Sequence, residues 1–356
     1  MKVLLKILTI LGIFIGILLI LVAGILGYFT VVEYNPPKIM KEPVYYRSQL
    51  IYDNQPLKLM SFNIGYGGLG RDEDFVMDGG KKGRADSKEV VEGYFEGIQN
   101  LLTEHEADIY LLQEVDFNSR RSYELNEVGL NDALFPNYDH VFSYNYKAKF
   151  VPFPFSTSDY IGKVNSGLQT LSKYRINESF RHQLPGAFSW PVRTVNLKRA
   201  IQPNYIEIQG SSKKLVVINI HLSAYDDGSM RLKEMAYLKD FIEAEYQKGN
   251  YVIVGGDFNQ VFYETRDTFP HHEGTWEAMI MDKDTLSENF SFAIDPLTPT
   301  CRSLHAPYTG GEFPYYIIDG FIVSNNITVT TINTINHDFL YSDHNPVILE
   351  VTLNDL

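Results

Sequence analysis

The sequence predicts a mixed α/β fold, with room for one large domain or two small ones in its 356 residues. Hydrophobic residues make up 44% of the chain and aromatic residues 13%, which is enough apolar side chain for the core of a globular α/β enzyme. Short apolar runs rich in β-branched residues recur along the chain, and two stretches have the periodicity of amphipathic helices. Most of the strand-like runs end in a polar residue, which predicts a site at the strand ends.

The composition excludes several kinds of site. Cys301 is the single cysteine, so the chain has neither an internal disulfide framework nor a cysteine-rich zinc site. The formal net charge is −13, but residues 1–55 hold five basic and three acidic residues, a net of +2, which leaves the remainder near −15. A surface of that charge does not attract nucleic acid non-specifically.

The N-terminal segment predicts a membrane anchor over residues 1–32. Residues 7–32 contain no charged side chain and would span roughly 39 Å as a helix, more than the ~30 Å hydrocarbon core of a bilayer. The alternative is a cleaved signal peptide, whose apolar region is usually about 7–15 residues long and ends at a cleavage pattern that this chain lacks. Because Lys2 and Lys6 precede the run, we expect a single-pass cell-membrane protein with a cytosolic N-terminus and an extracellular catalytic domain.

Two further regions follow the anchor. Residues 33–55 contain three prolines and predict a stiff linker, and residues 56–356 form the catalytic domain. Within that domain, the glycine-rich and charged residues 65–84 predict a long loop that covers a site. Amphipathic helices are predicted after this loop and over residues 231–247.

The most informative stretch is a strand-like run that leads to a carboxylate and an amide. A buried strand is predicted to end at Val254, and Gly255 and Gly256 would then let the backbone turn. If extended geometry continues, Asp257 and Asn259 point to the same side. The Asp257 carboxylate only accepts hydrogen bonds, whereas the Asn259 amide both donates and accepts them. The two together suit the binding of a water and a phosphoryl oxygen. The alternative is an ordinary capped turn.

Other strand-like runs also end in or near residues that bind metals or transfer protons. They contribute Asn63, Glu114, His221 and the pair Asp343-His344, and Asp319 lies inside a sixth run. Each residue alone has an ordinary structural interpretation, as a cap or a buried hydrogen-bonded group. The repetition of the pattern favours a shared site.

These motifs, in this order, resemble the endonuclease/exonuclease/phosphatase superfamily. The resemblance covers about residues 57–353 and rests on Ser61-Phe-Asn63, Gln113-Glu114, Ser166-Gly-Leu with Ser172, Asn219-Ile-His221-Leu, Gly256-Asp257-Phe-Asn259, Ile318-Asp319 and Ser342-Asp343-His344-Asn-Pro-Val. It implies a four-layer α/β sandwich, in which two packed mixed sheets are flanked by helices and the site lies at one edge.

The resemblance also implies a metal centre. Glu114 would be the main ligand of a Mg²⁺ ion, with Asn63 close by and Asp343 near the metal. Carboxylate and amide oxygens suit Mg²⁺, and Mn²⁺ can substitute.

The remaining motif residues are implied to carry the chemistry. Asp257 and Asn259 would hold the attacking water and a phosphoryl oxygen. His344, paired with Asp319, would act as the acid–base or electrostatic partner, and His221 would stabilise the charge of the transition state. Either Asp257 or His344 could take the proton of the water.

The chain departs from the family pattern around the substrate. Ile317 stands where many members have a basic residue, and Gly320 stands where they often have tyrosine. Tyr144 or Tyr146 could replace a phosphate-binding tyrosine.

Residues 143–199 carry nine basic and two acidic residues, a local net of +7, together with many aromatic residues. One interpretation is a core of aromatic residues with a solvated basic rim. The other is a wall of the active site, in which Arg193 and Arg199 clamp a phosphate and exposed aromatic residues meet an apolar part of the substrate.

Three functions are compatible with these observations. The leading one is a membrane-anchored, Mg²⁺-dependent hydrolase of phosphodiesters or phosphomonoesters, with a phospholipid head group as one candidate substrate. The second is an extracellular metal-dependent nuclease, so that nucleic acid enters only as a substrate. The third is a catalytically inactive binding module, which the retention of every polar position disfavours. The sequence indicates no obligate protein partner.

Overall fold

The computed structural model describes residues 1–354. Within that range it has four α-helices, which are α1 (Lys2–Val31), α2 (Lys88–Glu104), α3 (Glu127–Leu134) and α4 (Ser229–Gln247). Helix α1 is long and apolar enough to cross a membrane, with a mean hydropathy of 3.0 over its best 18-residue window, and none of that window is buried in the protein.

Seventeen β-strands are present in residues 1–354. In chain order they are β1 (Ile39–Glu42), β2 (Leu57–Asn63), β3 (Ile109–Asp116), β4 (Asp139–Val151), β5 (Gly162–Ser172), β6 (Ile176–Gln183), β7 (Ala200–Glu207), β8 (Lys214–His221), β9 (Tyr251–Asp257), β10 (Gln260–Val261), β11 (Met279–Ile280), β12 (Phe290–Ala293), β13 (Cys301–Arg302), β14 (Tyr315–Tyr316), β15 (Asp319–Ser324), β16 (Ile327–Thr334) and β17 (Val347–Leu353).

Thirteen of these strands form two large mixed sheets. The first has the order β1-β6-β7-β8-β9-β15-β12 and the second the order β16-β17-β2-β3-β5-β4. Only β8 and β9 in the first sheet and β2 and β3 in the second run parallel. The carboxyl ends of these two central pairs lie at one edge of the sandwich. Strands β15 and β17 run antiparallel to them, so their amino ends lie at the same edge.

The apolar side chains divide the domain into four layers. One buried cluster, including Leu111 and Ile253, fills the space between the two sheets. A second cluster packs α4 against the outer face of the seven-stranded sheet, and a third packs α2 against the outer face of the six-stranded sheet. This arrangement confirms the predicted four-layer α/β sandwich.

Residues 33–55 are not the linker that the sequence predicted. Strand β1 pairs with β6 at the edge of the seven-stranded sheet, and isolated bridges join Tyr45 to His140 and Tyr52 to Ile208. Tyr52 is fully buried in the core between the sheets. We call residues 39–52 the strap. The prolines suggested an extended chain, but an extended chain also pairs readily with an open sheet edge, which sequence alone does not reveal.

The two glycines before Asp257 also differ from the prediction. They lie inside β9, which continues to Asp257, instead of forming a turn after Val254. A Cβ atom on Gly256 would lie 2.0 Å from the backbone oxygen of Ile220 in β8, and one on Gly255 would lie 2.5 Å from the ring of Phe321. Glycine is therefore required by close packing of neighbouring strands.

We expect Gly256→Ala to destabilise the protein by roughly 2–3 kcal/mol, because the added methyl group meets a backbone atom that cannot move without disturbing β8. Thermal or urea unfolding of the full-length protein in detergent measures the effect. Gly93→Ala is the matched control, since the space around Gly93 on α2 is open and alanine favours a helix. Equal stability of the two variants would contradict this explanation of the glycine.

Candidate active site

A cavity of about 580 Å³ opens at the edge where the central parallel strands end. Its floor is polar and includes Asn63, Glu114, Asp257 and His344, whereas its outer walls are largely apolar. The long loop after β2, predicted to cover a site, supplies part of the wall through Tyr66, among others. The volume lies within the usual range for small-molecule sites.

Asp257 lies at the centre of the floor and is almost completely buried. Its carboxylate accepts a hydrogen bond of 3.0 Å from Asn63 Nδ2 and one of 2.8 Å from the backbone amide of Asn259, and it lies 3.4 Å from His221 Nε2. Burial raises the pKa of Asp257 to about 7, and the nearby charge of Asp319 adds to the rise. A carboxylate with this pKa can accept a proton near neutral pH.

His344 and Asp319 form a buried pair next to Asp257. His344 Nδ1 donates to Asp319 Oδ2 at 2.8 Å, and His344 Nε2 faces Asp257 Oδ2 at 3.9 Å. Burial alone would lower the pKa of His344, but the charges of Asp319 and Asp343 hold it well above its usual value. The imidazole is therefore a cation at neutral pH.

His221 has the opposite protonation state. Burial, reinforced by the charges of Arg199 and His344, holds the pKa of His221 well below its usual value. A neutral imidazole can donate one hydrogen bond without adding charge to the floor.

Glu114 reaches the cavity because of a backbone irregularity. The pairing of β3 with β5 shifts register between Leu112 and Val115, and Glu114 within this bulge has a φ of +53°. Its side chain is 25% exposed, and one oxygen lies 3.6 Å from Arg121. A bulge of this kind re-aims a side chain that a regular strand would direct elsewhere.

Arg121 holds this part of the site together. It forms hydrogen bonds of 2.9 and 3.1 Å to the two carboxylate oxygens of the fully buried Asp116, and its guanidinium lies 3.6 Å from the centre of the Tyr66 ring. These contacts place the guanidinium where it can orient Glu114. Arg121 was not among the residues predicted from the sequence, where its local signal is its position in a charged loop after a strand-end acid.

Asp343 and Asn63 supply further oxygen atoms. Asn63 Oδ1 accepts a 3.1 Å hydrogen bond from the amide of Gly65, which leaves a lone pair available. Burial raises the pKa of Asp343 to about 6, and the negative charges of Glu114 and Asp78 contribute to the increase.

A divalent cation fits this donor set. The acids crowd together at the cavity floor, so that a hard cation would relieve their mutual repulsion. Two trios also lie within metal-binding distance of one another, namely Cys301, Asp343 and His344, and Asp257, Asp319 and His344. Because His344 is already committed to Asp319, Glu114 and Asn63 are the better candidate ligands.

The predicted phosphate-binding residues separate into two groups. Arg199 lines the cavity, and its guanidinium forms no hydrogen bond or ion pair with residues 1–354. Arg193 lies outside the cavity and is 46% exposed, with its Nε 3.7 Å from a carboxylate oxygen of Glu33. The structure therefore brings only Arg199 to the other predicted site residues.

Tyr144 also lies outside the cavity, where it packs against Tyr34 and Lys147. Tyr146 lines the cavity instead. Both have the same parity along β4, but a bulge between them shifts the pairing with β5. The bulge places them on different faces, which alternation alone would not predict.

Four of the ten non-glycine residues with positive φ in residues 1–354 line the cavity. Tyr66, Glu114, Tyr225 and Asn259 all line it and have φ values of +43°, +53°, +33° and +50°. Such conformations each cost about 1–3 kcal/mol in residues other than glycine, and they typically persist where function requires a particular side-chain position. Tyr66 and Tyr225 were not among the predicted site residues.

The sequence matches the model of the Endonuclease/Exonuclease/phosphatase family over residues 60–344. The chain belongs to this family. Its members are metal-dependent phosphoesterases, so the protein is a metal-dependent hydrolase of phosphate esters. No match was found among curated proteins.

Solved structures share the fold of this family member at low sequence identity. An endonuclease/exonuclease/phosphatase from Beutenbergia cavernae is 15% identical with a TM-score of 0.58, covering 84% of this chain and 72% of its own. One from Bacteroides vulgatus is 16% identical with a TM-score of 0.53, covering 84% and 100%. The human nocturnin catalytic domain with a bound sulfate anion is 17% identical with a TM-score of 0.51, covering 88% and 98%.

We expect Arg121→Met to lower the free energy of unfolding by about 3–5 kcal/mol, because it leaves Asp116 as a buried and unpaired charge. It should also weaken metal binding, because Glu114 loses the side chain that orients it. Calorimetry of metal binding and denaturant unfolding measure the two effects. The control Lys88→Met removes an exposed ion pair to Glu92 and should change stability by less than about 0.5 kcal/mol. If both variants behave alike, Arg121 does not organise the site.

Proposed function

We propose that the protein is a membrane-anchored, Mg²⁺-dependent phosphodiesterase. The observation that carries this proposal is the convergence of Asp257, the Asp319–His344 pair, Glu114 and Arg199 on one cavity floor. They provide a proton acceptor, a buried cation, a metal ligand and a free guanidinium, which are the groups that phosphoryl transfer requires.

Glu114, Asn63 and Asp343 would hold the ion. The bound Mg²⁺ would withdraw negative charge from a phosphoryl oxygen. Mg²⁺ is favoured over softer metals because the donors are carboxylate and amide oxygens and Cys301 is buried with its pKa raised to about 12 by burial.

Asp257 and Asn259 orient the attacking water. The carboxylate of Asp257 accepts a hydrogen bond from the water, and it can take the proton because of its raised pKa. The water oxygen forms a bond to phosphorus, and the bond from phosphorus to the leaving alcohol oxygen breaks. The alcohol leaves with a proton supplied from the solvent or from His344.

His344, His221 and Arg199 stabilise the phosphoryl group. The His344 cation is fixed in place by Asp319, so no reorganisation is needed as charge develops. Neutral His221 donates a hydrogen bond, and Arg199 offers a bidentate contact that no residue of the described chain occupies.

The balance of charge favours a diester over a monoester. Arg121 is bound to Asp116, and the buried Arg302 donates to backbone oxygens such as that of Gly70 at 2.8 Å. Arg199 and His344 are therefore the cations available to substrate, amid several acids. With the charge of the bound ion offset by Glu114 and Asp343, a singly charged diester suits this balance better than a doubly charged monoester.

Helix α1 is proposed to remain in the mature protein as the anchor. Its length and hydropathy support a transmembrane span, and its end is bonded to the catalytic domain through Trp190 Nε1, which donates to Thr30 Oγ1 at 3.0 Å. Lys2 and Lys6, at the start of α1, favour a cytosolic N-terminus and an extracellular catalytic domain.

We expect hydrolysis of bis(p-nitrophenyl) phosphate to require Mg²⁺ or Mn²⁺ and to exceed that of p-nitrophenyl phosphate. Glu114→Ala should raise the metal concentration for half-maximal rate by at least about 10-fold, whereas His344→Ala should lower kcat by about 100-fold or more with metal still bound. Steady-state kinetics with metal titration separate the two roles. The controls Glu277→Ala and His271→Ala change exposed residues outside the cavity and should match the unmodified protein. Full activity after exhaustive chelation would reject the metal-dependent mechanism.

The anchor has its own test. The mature protein should retain Met1 or Lys2 at its N-terminus and stay in the membrane fraction after carbonate extraction. Protease added to intact cells should digest the catalytic domain. An N-terminus near residue 28 would instead show that α1 is removed as a signal peptide.

A further inference from the structure

The end of the anchor is fixed against the catalytic domain. Glu33, two residues after α1, is 10% exposed and lies 2.7 Å from Lys198 Nζ and 3.7 Å from Arg193 Nε. The Phe29 ring stacks on Phe150 with 6.5 Å between centroids. These contacts, with the hydrogen bond from Trp190 to Thr30, set the distance and direction of the domain from the membrane surface.

The segments that contact the anchor also form the outer wall of the cavity. We call residues 150–155 and 186–192 the apolar lip. Phe153, Phe155, Phe188 and Val192 of the lip line the cavity, while Trp190 and Phe150 of the same segments contact α1. The opening of the cavity therefore lies beside the point where α1 leaves the membrane.

The lip exposes large apolar side chains. Phe155 is 88% exposed, Trp190 52%, Val192 49% and Phe150 39%. Clusters of exposed aromatic residues beside a membrane-spanning helix are typical of the interface between lipid and water, where Trp and Phe rings are partly withdrawn from water. Such a cluster in water alone would be an aggregation hazard.

Three basic residues of this region are occupied by contacts within the protein and are not free to bind a nucleic-acid backbone. Lys198 and Arg193 are paired with Glu33, and the buried Arg181 donates to the backbone oxygens of Tyr144 at 2.8 Å and Lys198 at 2.6 Å. Arg199 is the one arginine of residues 143–199 that lines the cavity, at its floor. The cavity therefore matches a substrate with one phosphate, which would bind at the floor, and a hydrocarbon portion, which would contact the lip.

We propose that the apolar lip binds the hydrocarbon portion of a lipid phosphodiester and that the anchored enzyme hydrolyses this lipid in the membrane that holds α1. This rests on the proposed phosphodiesterase activity and specifies its substrate class. The fixed anchor presents the lip to the bilayer, so a lipid can move into the cavity with its chains still in an apolar environment. Its phosphate then meets Arg199 and His344 at the floor.

The first experiment uses p-nitrophenyl methyl phosphate and p-nitrophenyl octyl phosphate with the full-length protein in detergent. Each buried methylene group contributes up to about a 4-fold gain, so kcat/KM should be at least about 10-fold higher for the octyl ester. Phe155→Ser should reduce this octyl-to-methyl ratio by at least about 5-fold, because Phe155 is exposed and its loss does not disturb the core. Leu297→Ser is the matched control, since Leu297 is 79% exposed outside the cavity. It should leave the ratio unchanged.

The second experiment tests the location of the substrate. The full-length protein is reconstituted into phosphatidylcholine vesicles that contain the p-nitrophenyl ester of dimyristoyl phosphatidic acid. Alternatively, the same ester is placed in separate phosphatidylcholine vesicles. We expect hydrolysis to be at least about 10-fold faster when enzyme and ester share a membrane.

The outcomes distinguish failure of the two proposals. If neither the methyl nor the octyl ester is hydrolysed, the phosphodiesterase function is wrong and the lipid inference fails with it. If the methyl ester is hydrolysed but the octyl-to-methyl ratio is near one, or equal in Phe155→Ser and the unmodified protein, the lip does not bind hydrocarbon. Equal rates for shared and separate vesicles would reject action within one membrane. If Phe155→Ser impairs cleavage of a single-stranded oligonucleotide and not the ester ratio, the lip is a base-stacking surface.

Discussion

The site depends on one hydrogen bond between the two sheets. Asn63 at the end of β2 donates to Asp257 at the end of β9 over 3.0 Å, so a residue from the six-stranded sheet fixes the central carboxylate of the seven-stranded sheet. The close packing at Gly256 sets the position of Asp257 relative to β8, and His221 at the end of β8 follows from the same register. Catalytic geometry is thus a property of how the sheets pack, and small changes in that packing reach the reacting groups directly.

Several buried charged side chains surround this hydrogen bond, although burying charge inside an apolar sandwich is unfavourable. Asp116 is neutralised by Arg121, and Asp319 by His344. Within residues 1–354, Asp343 and Glu114 have no comparable partner, because Arg121 reaches Glu114 only at 3.6 Å and His344 Nε2 lies 3.9 Å from Asp343. Burying an uncompensated charge costs several kcal/mol. The excess of acidic side chains at the floor therefore favours the binding of a cation.

The strand-end residues could be predicted because they depend on local patterns, namely apolar runs and the polar residues that follow them, and the resemblance of these motifs to the family implied the four-layer fold. Prediction from the sequence failed where the outcome depends on pairing between distant segments. The strap is ordered because β1 pairs with the open edge of β6, and this pairing cannot be read from the sequence of the strap. Tyr146 lines the cavity in place of the predicted Tyr144 because a bulge shifts the pairing of β4 with β5. Arg193 was predicted to bind phosphate from its positive charge alone. Its partner Glu33 lies 160 positions earlier in the chain, so the sequence around Arg193 does not indicate that this charge is paired. Arg121 was missed for the same reason, since its role comes from Tyr66 and Asp116 together.

The strap and the contacts of α1 restrict the orientation of the catalytic domain relative to α1. A domain on a flexible linker would sample many orientations, and its cavity would meet soluble and membrane substrates alike. Here the chain passes from α1 through the Glu33 ion pairs into β1, which extends the seven-stranded sheet, and then into the core at Tyr52. Movement of the domain relative to α1 must break these contacts together. The sheet that positions Asp257 is therefore continuous, through β1, with the segment that follows α1, and in the proposed membrane-anchored enzyme this continuity would give the cavity a fixed orientation toward the bilayer.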